Sequence, residues 1–102
     1  MTDLEFIRER LPQEELLAQL GEEAAELAQA ALKYRRALDG TNPARVDAGY
    51  AFLAMLGEIA DVGLALQALA IPESELATSF IQATIQDKTK RWRRALELQA
   101  HQ

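Results

Sequence analysis

The segment Ala48–Ile71 constrains the fold most, because it is apolar on almost every side. Its two charged residues, Glu58 and Asp61, lie three positions apart near the middle of the segment. A helix with such a surface needs a large partner surface or lipid to cover it. A chain of 102 residues buries only a modest core. We therefore expect other helices to cover this segment, some of them from a second copy of the chain.

A membrane is the other environment that would accept Ala48–Ile71, which is long enough to span one. Two carboxylates near the centre of a span would each cost about 2.5–3.5 kcal/mol on insertion. The N-terminal stretch MTDLEFIRERLP is charged and lacks the apolar core of a signal peptide. The sequence therefore predicts a cytoplasmic protein that does not enter a membrane.

The composition limits the classes of site that the chain can build. Ala, Leu, Glu, Gln and Arg dominate, a composition that favours helices. The absence of cysteine excludes disulfides, zinc-thiolate sites and thiol nucleophiles. The formal net charge of −5 argues against nucleic acid as a partner.

The pattern of apolar residues predicts an all-α fold in a single domain, 1–102, with no strand and no internal repeat. Gly40 is a natural C-terminal cap, and Thr41-Asn42-Pro43 can restart a helix with a capping side chain before a proline. The architecture is an antiparallel helical bundle of three long helices with a short N-terminal helix. The predicted helices are Asp3–Leu11, Gln13–Leu38, about Ala44–Ala70, and a last helix opened by Pro72.

Two pairs of acidic residues lie on helix faces where apolar residues are expected. Glu23 occupies the inner seam of the first long helix, with Glu26 one turn later at the edge of the same face. Glu58 and Asp61 form the second pair. If the two helices run antiparallel, the pairs lie within about 3 Å of the same height. The seam itself follows a 4-3-4-3-4 spacing through Leu16, Leu20, Glu23, Leu27, Ala30 and Tyr34.

Three interpretations of four converging carboxylates compete. They can be solvated or paired with arginine and lysine, which is the simplest explanation for Glu22, Glu23 and Glu26 taken alone. They can bind a hard divalent cation, since all-oxygen ligands suit Mg²⁺ or Mn²⁺. They can form a di-iron site, which normally needs Glu-x-x-His motifs, but the one histidine is His101 near the C-terminus. Because the helix that carries Glu58 and Asp61 has no polar face, we favour the interpretation that the four carboxylates bind a divalent cation.

A magnesium site with open positions calls for an anionic substrate, and basic residues are available to hold one. Lys33 lies two turns beyond Glu26, and Lys88 and Arg91 lie on the last helix. The alternative is that these cations are simply solvated near helix C-termini, where positive charge is favourable. The basic run Asp87–Arg94 contains Lys88, Lys90, Arg91, Arg93 and Arg94.

The segments EEAAELAQAALK (Glu22–Lys33) and GEIADV (Gly57–Val62) resemble the MazG-like branch of the all-α nucleoside triphosphate pyrophosphohydrolases. That superfamily carries an ExxE motif and a later ExxD motif on adjacent antiparallel helices. The resemblance covers about residues 13–94. It implies magnesium-dependent hydrolysis of a nucleoside triphosphate to the monophosphate and pyrophosphate, as part of cleaning the nucleotide pool.

The resemblance also assigns roles to residues of this chain. Glu23, Glu26, Glu58 and Asp61 match the metal ligands, and Glu22 matches an acid that orients or deprotonates the attacking water. Lys88 and Arg91 match the phosphate-binding basic residues only loosely. Members of the superfamily form homodimers or homotetramers, which implies a four-helix active-site bundle completed by oligomerisation.

Two departures from the family pattern keep other functions open. Gly57 stands where the second motif often has a further glutamate, and 31 residues separate Glu26 from Glu58, which is long for the family. One alternative is a metal- or nucleotide-binding module with weak turnover or none. Another is a structural helical oligomer in which the acids pair with arginines.

Overall fold

The computed structural model describes residues 1–41 and 47–101, and all regular structure in these two ranges is helical. The all-α prediction is therefore confirmed for the described part of the chain. Within these two ranges, four α-helices and one short 3-10 turn at Ile71–Glu73 follow one another. The helices are α1 (Asp3–Arg10), α2 (Gln13–Asp39), α3 (Ala48–Ala68) and α4 (Glu75–Ala100).

Local side-chain and backbone chemistry sets the helix ends. The hydroxyl of Thr2 accepts a hydrogen bond from the backbone N–H of Glu5, and the Glu5 carboxylate accepts one from Thr2 in return, both at 3.1 Å. This capping box starts α1. Gly40 ends α2 with φ of 74°, a left-handed conformation that glycine adopts without steric cost.

The starts of the last two long helices differ from the prediction. Asp47 has an extended backbone and its carboxylate accepts a hydrogen bond from the Gly49 N–H at 3.3 Å, so α3 begins at Ala48. The predicted restart at Thr41-Asn42-Pro43 and the predicted helix start at Ala44 involve residues 42–46, which lie outside the described residues. In α4, Ser74 caps the helix by accepting from the Ala77 N–H, so the helix begins after Pro72 rather than at it.

The chain divides into two compact units, residues 1–70 and 71–102. The second unit consists of the 3-10 turn and α4, which contact each other. The prediction of a single domain over 1–102 stays a prediction. All five predicted acidic site residues and Lys33 lie in the first unit, whereas Lys88 and Arg91 lie in the second.

In the first unit α2 and α3 run antiparallel along each other. The Tyr34 ring, late in α2, lies 5.4 Å from the Phe52 ring, early in α3. At the opposite end of α3, Arg8 of α1 donates a hydrogen bond to the backbone carbonyl of Gln67 at 2.6 Å. The long helices thus face each other over most of their length, with α1 across the C-terminal end of α3.

The seam predicted for α2 is confirmed by the burial of its side chains. Leu16 is buried, and the other five seam residues are partly buried, whereas most other residues of α2 are exposed. The matching side of α3 is lined by alanines, of which Ala51, Ala65 and Ala68 are buried. These small side chains let the helices approach closely but remove little apolar area from water.

Another side of α3 is apolar and exposed, and one of its residues, Leu64, borders a small cavity at the helix pair. Leu53 is 65% exposed, Leu56 41% and Leu64 51%, and their spacing places them along one stripe of the helix. We call Leu53, Leu56 and Leu64 the outer stripe. The outer stripe therefore leaves apolar surface of α3 exposed to water.

By length and composition alone, α3 would also pass as a membrane-spanning helix. Its mean hydropathy is 1.5, and 11% of the apolar window is buried. Core helices of soluble proteins share the same length and composition, so this property does not distinguish the two environments.

Candidate metal centre

Three of the predicted acidic residues come together between α2 and α3. Glu23, Glu26 and Glu58 each place one carboxylate oxygen within 4.8 Å of the other two. Glu23 lies in the seam, and Glu26 is rotated from it by about 60° because three residues turn a helix through about 300°. Glu58 faces them from α3. We call these three residues the acidic triad.

Burial and charge make the triad unfavourable without a cation. One oxygen of Glu23 accepts a hydrogen bond from the Gln19 amide at 2.8 Å. Its second oxygen, Oε2, and Oε2 of Glu58 are buried without a hydrogen-bond partner in the described part of the chain. Burial raises the pKa of Glu23, and the negative charges of Glu26 and Asp61 raise it further. Unpaired buried carboxylate oxygens are costly, and a cation would satisfy them.

The donor set fits a hard divalent ion. Carboxylate oxygens are the ligands that Mg²⁺ and Mn²⁺ prefer. Oxygens bound to one octahedral Mg²⁺ lie up to about 4.2 Å apart, twice the metal–oxygen distance of about 2.1 Å. The spacing in the triad, within 4.8 Å, requires only small rotations of glutamate side chains to reach that arrangement.

The other two acidic site residues lie outside the triad. The carboxylate of Asp61 is not among the three that converge. It is close enough to act on the charge of Glu23, and both residues line a small cavity of about 230 Å³. Glu22 is exposed and lies one turn before Glu26 on the same flank of α2.

The three predicted phosphate-binding residues have different surroundings. Lys33 lines the same cavity as Glu26 and Glu58. Lys88 and Arg91 are exposed on α4, in the second unit. Arg91 forms an ion pair with Asp87 at 2.8 Å, a solvent-exposed pair of the kind that contributes little stability. Their role toward a substrate stays a prediction.

A cavity of about 940 Å³ opens beside the triad, between α2 and α3. Glu26 and Glu58 line it at the level of the triad, and Lys33 and Tyr50 line it about two helical turns away. Its volume is at the upper end of the usual range for small-molecule sites, about 300–1,000 Å³. Two residues of the triad, Glu26 and Glu58, and the lysine therefore open into one space large enough for an organic anion.

Sequence reasoning did not single out Gln29 and Asp47, which also line this cavity. Gln29 had a detectable signal, because it lies three residues after Glu26 and so shares its face of α2. No pattern in the sequence pointed to Asp47. It lies just before α3 and lines the cavity because the helix begins at Ala48.

A scan against protein-family models, a search of curated proteins and a search of solved structures each found no match for this chain. The interpretation of the site therefore depends on its own geometry and on the motif resemblance.

The raised pKa of Glu23 predicts how stability changes with pH. Below its usual pKa of 4.5 Glu23 is protonated in both the folded and the unfolded chain and has no effect. As the pH rises through the higher folded pKa, the unfolded chain releases the proton more readily, so stability falls. In the absence of metal, Glu23→Gln should therefore raise the melting temperature at pH 7 and have a smaller effect near pH 4. An equal effect at both pH values, measured by circular dichroism, would contradict the assignment.

Proposed function

We propose that this protein is a magnesium-dependent pyrophosphohydrolase that cleaves a ribo- or deoxyribonucleoside triphosphate to the monophosphate and pyrophosphate. The observation that carries the proposal is the convergence of Glu23, Glu26 and Glu58 from two antiparallel helices, with buried oxygens that lack partners. The order and spacing of the two acidic motifs, which resemble those of MazG-like enzymes, support it. The biological role is then the removal of unwanted nucleotides.

The acidic triad holds Mg²⁺ in this proposal, with Asp61 available beside Glu23, and Mn²⁺ would fit the same ligands. When bound, the ion supplies neutralising charge for the phosphates and lowers the pKa of a coordinated water. Triphosphate cleavage needs positioning and charge rather than a covalent nucleophile, so the lack of cysteine and of a histidine near the site is no obstacle.

The proposed reaction is one displacement at the α-phosphorus. The oxygen of a water forms a bond to that phosphorus, and the bond from the α-phosphorus to the bridging oxygen breaks, releasing pyrophosphate. Glu22 orients the water and takes its proton, as a carboxylate general base. Lys33 binds phosphate oxygens from within the cavity, and Lys88 and Arg91 are further candidates for this role.

We also propose that the active protein is a homodimer or a homotetramer in the cytoplasm. The outer stripe of α3 is apolar and exposed, and a second copy of the chain would cover it. A four-helix bundle around the site, completed by oligomerisation, is what the family resemblance implies. Burial between protein helices costs Glu58 and Asp61 less than burial in lipid, because solvent and a cation can reach the cavity. No membrane or nucleic acid takes part.

One feature favours a second candidate, a metal- or nucleotide-binding module with weak turnover or none. Gly57 replaces the additional glutamate that the second motif often carries. A Cβ at this position would meet no atom within 4 Å, so packing does not exclude a larger side chain there. Packing therefore does not explain why this chain has glycine where the family pattern often has glutamate.

The proposal is tested by measuring pyrophosphate release from a panel of canonical and damaged nucleoside triphosphates, in both sugar forms, with Mg²⁺, Mn²⁺ or chelator. We expect release that requires the metal and differs among bases. A protein that binds Mg²⁺ but releases no pyrophosphate from any nucleotide would favour the binding module, and Gly57→Glu would then be the first variant to assay for gain of turnover.

A further inference from the structure

We infer that Tyr50 is the surface on which the base of the bound nucleotide stacks. This inference rests on the proposed function and assigns the end of the cavity that lies away from the acidic triad. Tyr50 lines the same cavity as Glu26 and Glu58, so a ligand held by the triad reaches Tyr50 through continuous space.

The Tyr50 ring is unused by the packing of the described residues. Tyr50 is 71% exposed, and no ring contact or hydrogen bond of its side chain occurs within 1–41 and 47–101. The other aromatic side chains near the end of the helix pair are Tyr34 and Phe52, and these pack on each other. Tyr50 is thus the cavity-lining aromatic whose face is free for a planar ligand.

Helix geometry separates the phosphate-binding and base-binding ends. Tyr50 precedes Glu58 by eight residues, which corresponds to about 12 Å along the helix axis. Side chains lean toward the N-terminus of their helix. Because α2 and α3 are antiparallel, Lys33 leans toward the triad while Tyr50 leans away from it. The lysine is therefore placed for phosphates and the tyrosine for the part of the ligand farthest from the metal.

The stretch between the two ends is lined by small side chains. Ala30 and Ala54 lie between the triad and Tyr50 and line the cavity. They leave room for a sugar and present no charge to repel the phosphates. A ligand with a polyphosphate at one end and a flat ring at the other matches this order of acidic, small and aromatic residues. Base–aromatic stacking tolerates every base, so Tyr50 confers affinity for nucleotides as a class.

The test compares binding of nucleotides with binding of the same phosphates without a base. The ligands are the α,β-methylene analogues of ATP, GTP, CTP and UTP, which resist cleavage, and inorganic tripolyphosphate, each titrated calorimetrically with Mg²⁺. Tyr50→Ala should weaken binding of the analogues at least about fivefold and leave tripolyphosphate binding unchanged. Tyr50→Phe should retain affinity for the analogues. The matched control is Phe80→Ala, which removes another aromatic ring that is 71% exposed and should change neither affinity.

Three results would overturn the role of Tyr50. These are equal weakening of analogues and tripolyphosphate, no weakening of the analogues, or a change in the mass of the Tyr50→Ala oligomer in light scattering, which would make Tyr50 an interface residue. If the unaltered protein binds tripolyphosphate but no analogue, the base-stacking inference fails and the metal–phosphate site stands. If it binds neither ligand with Mg²⁺, the proposed function itself fails.

Discussion

Glu58→Gln should abolish metal-dependent pyrophosphate release and lower the affinity for Mg²⁺ by roughly 100-fold or more. The variant replaces a carboxylate, a metal ligand in our proposal, by a neutral amide at the position where α3 meets the two glutamates of α2. In the absence of metal the same variant should melt at a higher temperature, because it removes a charge whose oxygen Oε2 is buried without a partner. Calorimetric titration with Mg²⁺ and thermal unfolding followed by circular dichroism measure the two effects.

The matched control for this variant is Glu14→Gln, which removes the same charge from the exposed first turn of α2. It should leave both metal affinity and turnover unchanged. If Glu58→Gln kept full activity, or if Glu14→Gln weakened Mg²⁺ binding equally, the acidic triad would not be the metal site. The acids would then be paired or solvated within a structural helical oligomer.

Leu53→Glu should convert the proposed oligomer to a monomer. Leu53 lies on the outer stripe and is 65% exposed in the single chain, so a charge there is harmless to an isolated helix pair. In a symmetric interface the two introduced charges would be buried without partners, at a cost of about 3 kcal/mol or more. That cost weakens association at least about 100-fold. Sedimentation or light scattering over a range of concentrations measures the effect.

Leu38→Glu is the control for the interface variant, because Leu38 is also a leucine, is 63% exposed and lies at the C-terminal end of α2. It should leave the mass of the oligomer unchanged. An oligomer that survives Leu53→Glu would show that the outer stripe is not the interface. A monomer that remains fully active would show that the site is complete within one chain.

The seam of α2 and the meeting of Glu23 and Glu26 with Glu58 could be predicted from the sequence because both follow from helical periodicity. A 4-3 spacing fixes one face of a helix, and similar chain lengths on either side of a connection place residues at similar heights in an antiparallel pair. Glu23 and Glu58 therefore face each other as expected. The separate position of Asp61 depends on the rotation of α3 about its own axis, which the packing of alanines against α2 determines and which residue spacing alone does not.

The helix starts were less predictable because several residues can cap a helix. Pro43 and Pro72 both fit the first turn of a helix, but Asp47 and Ser74 supply the side-chain acceptors that cap α3 and α4. The sequence also could not predict which apolar residues of α3 are exposed in the single chain. An apolar stripe such as Leu53, Leu56 and Leu64 has the same sequence pattern whether the same chain or a second copy covers it.

The most direct test of the central claim is ³¹P NMR of a nucleoside triphosphate incubated with the protein and Mg²⁺. The account predicts that the triphosphate signals are replaced by those of the monophosphate and pyrophosphate in equal amounts, and that chelator or Glu58→Gln prevents the change. Formation of the diphosphate and orthophosphate would place the cleavage at the wrong phosphorus. An unchanged spectrum for every base, in a protein that binds Mg²⁺, would contradict the claim that this chain is an enzyme.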